Sequence, residues 1–120
     1  LLMSHPRDTA SLSEVIRYSN EVLAFVTNNN QYYQYLNYFN TNLAHAYWLR
    51  NRPGDRDLAI STYKTFLASQ DYGDNWETLL KDFRDLHRTG LQWPELRKLI
   101  GQIKPENVII TPADWKEMEE

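Results

Sequence analysis

From Val22 through Leu49 the chain carries no Asp, Glu, Lys or Arg. An uncharged stretch of this length invites two readings, a membrane span and an amide-rich low-complexity segment, and neither fits. Asn and Gln interrupt it throughout, so no apolar run approaches the roughly 20 residues that span a bilayer. It also keeps a helical stripe, with Leu36, Phe39, Leu43 and Ala46 recurring every three or four residues. The spacing predicts a helix over 31–50 with a large aromatic and amide face, contributed by Tyr32, Tyr33, Tyr35, Tyr38 and Tyr47 with their Asn and Gln neighbours.

Helical periodicity extends along the rest of the chain. Leu12, Val15, Ile16, Val22, Leu23 and Val26 share a face, and Ser11 with Glu14 three residues on has the form of a capping box, so a first helix is expected from Ser11 to about Thr27. Asn28-Asn29-Asn30 stops it, because short amides compete for backbone hydrogen bonds. Pro53-Gly54 marks the next turn, and Asp55 can cap a third helix carrying Leu58, Ala59, Ile60, Tyr63, Phe66 and Leu67. Asp74 and Glu77 form another capping box ahead of a helix striped by Trp76, Leu79, Leu80, Phe83 and Leu86 or His87. Gly90 should end that helix in the left-handed conformation, with Leu91 folding back as in a Schellman stop. A fifth helix with Pro94 in its first turn bears Leu96, Leu99, Ile100 and Ile103, and Pro105 closes it. Val108-Ile109-Ile110 has no partner strand, so it reads as an extended segment laid over the helices. Thr111-Pro112-Ala113-Asp114 starts a short last helix with Trp115 and Met118.

The expectation is an all-α domain over residues 1–120. Five main helices form hairpins over 11–104, and an extended segment with a short acidic helix occupies 105–120. The chain has 120 residues, enough to bury a core without disulfides or a metal, and no Cys, which removes thiol chemistry and CxxC zinc sites. Residues 1–113 are balanced in charge; the net charge of −3 comes entirely from Asp114, Glu117, Glu119 and Glu120 against Lys116. That balance gives no electrostatic pull toward nucleic acid or an anionic membrane. The start, Leu1-Leu2-Met3-Ser4-His5-Pro6, lacks a signal pattern and the first residue is not Met, so a soluble, cytoplasmic protein is expected, present here as a fragment or a trimmed product.

Val15-Ile16 with Leu23-Ala24 recurs as Ala59-Ile60 with Leu67-Ala68, and such an offset falls in the range of stacked helical-hairpin repeats. Ala44 and Tyr47 match the small residue and the aromatic of a tetratricopeptide first helix, and Ala59 and Tyr63 match those of the second. The loop Arg52-Pro53-Gly54-Asp55-Arg56 resembles the enlarged loops of long bacterial variants, and Trp76, Leu79 and Phe83 repeat the first-helix spacing. Residues 12–88 thus resemble a degenerate tetratricopeptide array, although Phe66 stands where that family has a small residue and Leu80 where it has Gly or Ala. The resemblance implies antiparallel α-hairpins stacked in a right-handed superhelix, with a plain helical bundle as the alternative. It implies a non-catalytic adaptor or scaffold that binds a protein or peptide, as the end of a larger bacterial signalling or effector protein. A short array of this kind also leaves room for self-association.

By that resemblance, one side of the second helix would line a partner groove with Tyr38, Thr41, Asn42, His45 and Trp48. Asn42 can both donate to and accept from a peptide backbone, and Tyr and Trp offer rigid contact area; the competing reading is that these side chains simply pack against neighbouring helices. Catalysis and cofactors find no support. His5, His45 and His87 are scattered with no GxSxG or HExxH, Asp82, Asp85 and His87 spread around a helix, and Asp71, Asp74 and Glu77 lack calcium-loop spacing. One different class competes: residues 75–104 have the outline of a DNA-binding helix-turn-helix around Gly90, offering Arg97, Lys98, Gln102 and Lys104. Glu77, Asp82, Asp85 and Glu95 would oppose its attraction to phosphate.

Overall fold

The helical stripes of the sequence become six α-helices in the computed structural model of the chain, with no strand among the residues it describes, 9–28, 36–68, 75–106 and 108–119. They are α1 (Thr9–Asn28), α2 (Leu36–Arg50), α3 (Asp55–Ala68), α4 (Asn75–Arg88), α5 (Trp93–Ile103) and α6 (Pro112–Glu119). Among the described residues no helix is long and apolar enough to cross a membrane. The chain forms two compact units, residues 1–68 and 69–120.

In the first unit α2 is the middle helix and packs extensively against both α1 and α3. The side-chain pairs show that each neighbour runs antiparallel to it. Ser13 and Asn20 of α1 meet Arg50 and Tyr47 of α2, and Tyr63 of α3 meets His45. The α1 side of α2 offers Leu43 and Ala46, which join Leu12 and Ile16 in a buried cluster flanked by Val15, Leu23, Tyr47 and Leu49. The other side, Thr41, Ala44, His45 and Trp48 at spacings of three and four, is also buried. On α3 the buried residues are Asp55, Ala59, Tyr63 and Phe66. Being covered on two sides is the physical reason α2 carries no charge before Arg50 in its last turn: a charged side chain has no place on either buried face.

Two sequence expectations are corrected at helix starts. Ser11 does not cap α1, because the helix is already formed at Thr9. Glu14 cannot reach back to a cap; it accepts from Arg17 at 2.7 Å, and Arg17 also donates to Glu21 at 2.9 Å. Asp55 does not cap α3 either: Leu58 N–H bonds to the Gly54 carbonyl, which puts Asp55 inside the first turn. Its carboxylate turns back to the end of α2, where Arg50 Nε and Nη2 donate to it at 2.7 and 2.9 Å and the Arg52 N–H at 3.0 Å. Arg50 also reaches Ser13 of α1 at 3.3 Å, so one guanidinium ties all three helices. Asn51 (φ 52°) ends α2 in the left-handed conformation and Gly54 (φ 85°) completes the turn. The Asp74 cap and Asn29-Asn30 lie outside the described residues.

The second unit follows the sequence stripes. Leu79, Phe83 and Leu86 of α4, Leu96, Leu99, Ile100 and Ile103 of α5 and Met118 of α6 are buried. The Schellman stop forms as expected: Leu91 N–H bonds to Leu86 O at 3.0 Å and Gly90 N–H to His87 O at 3.1 Å, with Gly90 at φ 119°. Leu86 and Leu91 are both buried, which supplies the apolar contact of the motif. Beyond α5, Lys104 Nζ donates to the carbonyls of Pro105 and Val108 and folds the extended segment back. A reciprocal cap opens α6, with Thr111 N–H donating to Asp114 at 2.9 Å and Asp114 N–H to Thr111 Oγ1 at 3.2 Å. Trp93 of α5 stacks edge-on against Trp115 of α6, with His87 on one side and the Arg97 guanidinium over the Trp115 ring.

Two stability predictions follow from these joints. The hydrogen bonds from Arg50 hold the Asp55 carboxyl below its ordinary pKa. A native pKa below the unfolded one contributes stability that is present above the usual carboxylate range and is lost as pH falls through the lowered value. Asp55→Asn, which leaves a largely buried guanidinium short of its counter-charge, is expected to cost about 3 kcal/mol at pH 7. The loss should shrink toward pH 3, measured by urea denaturation of both chains at each pH. Gly90→Ala, which forces a Cβ onto a positive φ, should cost about 1–2 kcal/mol in the same assay.

Candidate functional site

The face expected to line a partner groove is consumed by packing within the first unit. His45 is 2% exposed, and its Nδ1 shares a hydrogen bond of 2.6 Å with the Tyr63 hydroxyl, their rings 5.4 Å apart. Trp48 is 3% exposed, with the Arg56 guanidinium 3.8 Å from its ring centre, a cation–π contact that joins α2 to α3. Thr41 is buried and Asn42 half-buried on the same helix; the side chain of Tyr38 lies outside the described residues. The spacing puts Thr41, His45 and Trp48 on one side of α2, and there His45 and Trp48 contact α3 instead of an open groove. Position alone could not distinguish the two outcomes, because a helix buried on two sides carries apolar residues around most of its circumference.

An accessible concave surface occurs in the second unit. A groove of about 450 Å³ runs beside α4, with Trp76 and Leu80 on one wall, Ile109 and Ile110 from the extended segment, and Met118 of α6. Its rim is charged: Glu77, Lys81 and Arg84 from α4, Asp114 and Glu117 from α6. Arg84 and Glu117 approach to 3.9 Å. Local sequence explains each wall. On α4 the residues Leu79, Phe83 and Leu86 turn to the core, so Trp76 and Leu80, one helical turn apart, fall beside that stripe and stay half-buried. The Thr111–Asp114 cap fixes where α6 begins and so where Asp114, Glu117 and Met118 stand. The Thr111 N–H holds the Asp114 carboxyl below its ordinary pKa, so this part of the rim stays negative. Ile109 is 83% exposed, the most exposed of the large apolar side chains described.

The groove lining holds no Ser, Cys or His, and among the described residues no group of three His, Cys, Asp or Glu is gathered for a metal. Asp85 instead approaches Arg88 at 3.8 Å, and His87 Nδ1–H donates to Leu91 O at 2.9 Å. No protein-family model matches the chain, and no curated protein or solved structure shows significant similarity to it.

Sequence reasoning placed Trp76 and Leu80 in the core stripe and read Val108–Ile110 only as an overlay. The signal for the groove was a β-branched run with no strand to pair with, which leaves alternate side chains directed away from the surface beneath. If Trp48 acts in packing, Trp48→Ala should cost about 3–5 kcal/mol in thermal or urea unfolding. The half-buried Asn42→Ala should leave the midpoint nearly unchanged.

Proposed function

We propose that the chain is a non-catalytic recognition module that binds another polypeptide through the groove of its second unit. The observation that carries this reading is the apolar floor of Trp76, Leu80, Ile110 and Met118 with Ile109 standing exposed at its edge, all inside a charged rim. An apolar centre with a polar border is the usual anatomy of a surface that excludes water from a few anchoring side chains. A groove of about 450 Å³ accommodates three or four aliphatic side chains, the number a short helix presents at i, i+3 or i+4, and i+7. The antiparallel α1, α2 and α3 layer supports the stacked-hairpin, tetratricopeptide-like reading, and with it a scaffold or adaptor role inside a larger signalling or effector protein.

The helix-turn-helix alternative loses ground at the residues it needs. Arg97 lies over the Trp115 ring at 4.9 Å, and Lys104 is committed to two backbone carbonyls. Lys98 and Gln102 are exposed, but two polar residues give little phosphate attraction beside Glu95.

Peptides selected by display against the intact chain provide the test. They should shift the backbone resonances of Trp76, Leu80 and Ile109, and Ile109→Asp should weaken their binding at least tenfold while leaving the circular dichroism spectrum unchanged. Selected peptides that bind the Ile109→Asp chain as tightly as the natural one would remove the proposal.

A further inference from the structure

The first unit presents a second surface that owes nothing to the groove. Helix α1 turns Leu12, Ile16, Ser19 and Val26 into the unit. Beside that seam runs another, Val15, Tyr18, Val22 and Phe25, with the alternating three and four spacing of a helix–helix interface. Val15 and Val22 are half-buried, whereas Tyr18 and Phe25 are each 54% exposed. Phe39 of α2 widens the strip, its ring 6.2 Å from that of Tyr18 and inclined at 61°. The eleven residues from Val15 to Phe25 make the strip about 15 Å long, room for two turns or more of a docked helix.

Charge decides what fits there. Glu14 and Glu21 each precede a valine of the strip by one residue, which places both carboxylates along its solvent edge, seven residues apart. In packed helices such edge positions face the edge residues of the partner and set its identity. Arg17 bonds to both glutamates, but it stands one row further from the strip and leaves the edge with a net negative charge. A second copy of α1 is a poor occupant. Docked antiparallel about the middle of the strip, it would bring Glu21 close to its own equivalent; docked parallel, it would set the glutamates against Ser19 and Val26, which are already buried at home.

We infer that this strip of α1 docks an amphipathic helix of another protein, one with an apolar three-four seam and Lys or Arg at edge positions seven residues apart. Two synthetic helical peptides with the same leucine seam, one edged with Lys and the other with Glu, test it by titration into the intact chain while the Tyr18 and Val22 resonances are followed. The Lys-edged peptide should bind at least tenfold tighter at low salt, and the difference should shrink as salt rises. Glu14→Lys with Glu21→Lys should reverse the order, and Tyr18→Asp should remove binding of both peptides. Tyr18→Ala, a milder change at an exposed position, repeats the test if the aspartate disturbs the helix. Equal binding of the two peptides overturns the inference, as does a preference that survives charge reversal. So does sedimentation showing that the chain alone dimerises and that Tyr18→Ala makes it monomeric.

Discussion

The first unit depends on α2 being covered on two opposite sides. Leu43 and Ala46 meet Leu12 and Ile16 of α1, and two residues on, across the helical wheel, His45 and Trp48 meet Tyr63 and Arg56 of α3. Neither outer helix can be removed without uncovering one face of the middle one. Arg50 holds the arrangement at its end, joined to Asp55 across the turn and to Ser13 of the other neighbour. The His45–Tyr63 hydrogen bond pairs two buried polar groups of this interior, whereas the buried Trp48 Nε1 has no hydrogen-bond partner among the described residues, a situation that costs about 1–3 kcal/mol.

Much of this was legible in the sequence wherever local chemistry and tertiary demand agree. Gly90 followed by Leu91 signals a Schellman stop because only Gly takes the required φ cheaply, and the hydrogen bonds appear where that logic puts them. Thr111, Pro112 and Asp114 open α6 as a cap, a first-turn proline and a carboxylate should. Ser11 and Asp55 have equally good capping chemistry, yet Ser11 lies inside a helix already under way and Asp55 is claimed by an arginine five residues back. A cap motif specifies a possible bond; the partner that arrives from elsewhere decides which bond is made.

The functional surfaces were less legible for a related reason. Amides and aromatics on α2 look the same in sequence whether they face a ligand or a neighbouring helix, so Thr41, His45 and Trp48 read as a binding face and are found packed inside. The groove beside α4 depends on where Val108–Ile110 crosses, which the local Lys104 turn sets, and on where α6 lands, which the Trp93–Trp115 contact between two helices helps to set.

The missing charges on α2 also govern what happens when the first unit opens. Charged residues that flank apolar or amide-rich segments normally keep exposed chains apart, and none stands between Val22 and Leu49. An unfolded chain exposes this Tyr-, Asn- and Gln-rich stretch with charge only at its two ends, Glu21 and Arg50. In the folded unit α1 and α3 bury Leu43, His45, Ala46 and Trp48 of this stretch, and the Arg50–Asp55 joint ties α3 to the end of α2.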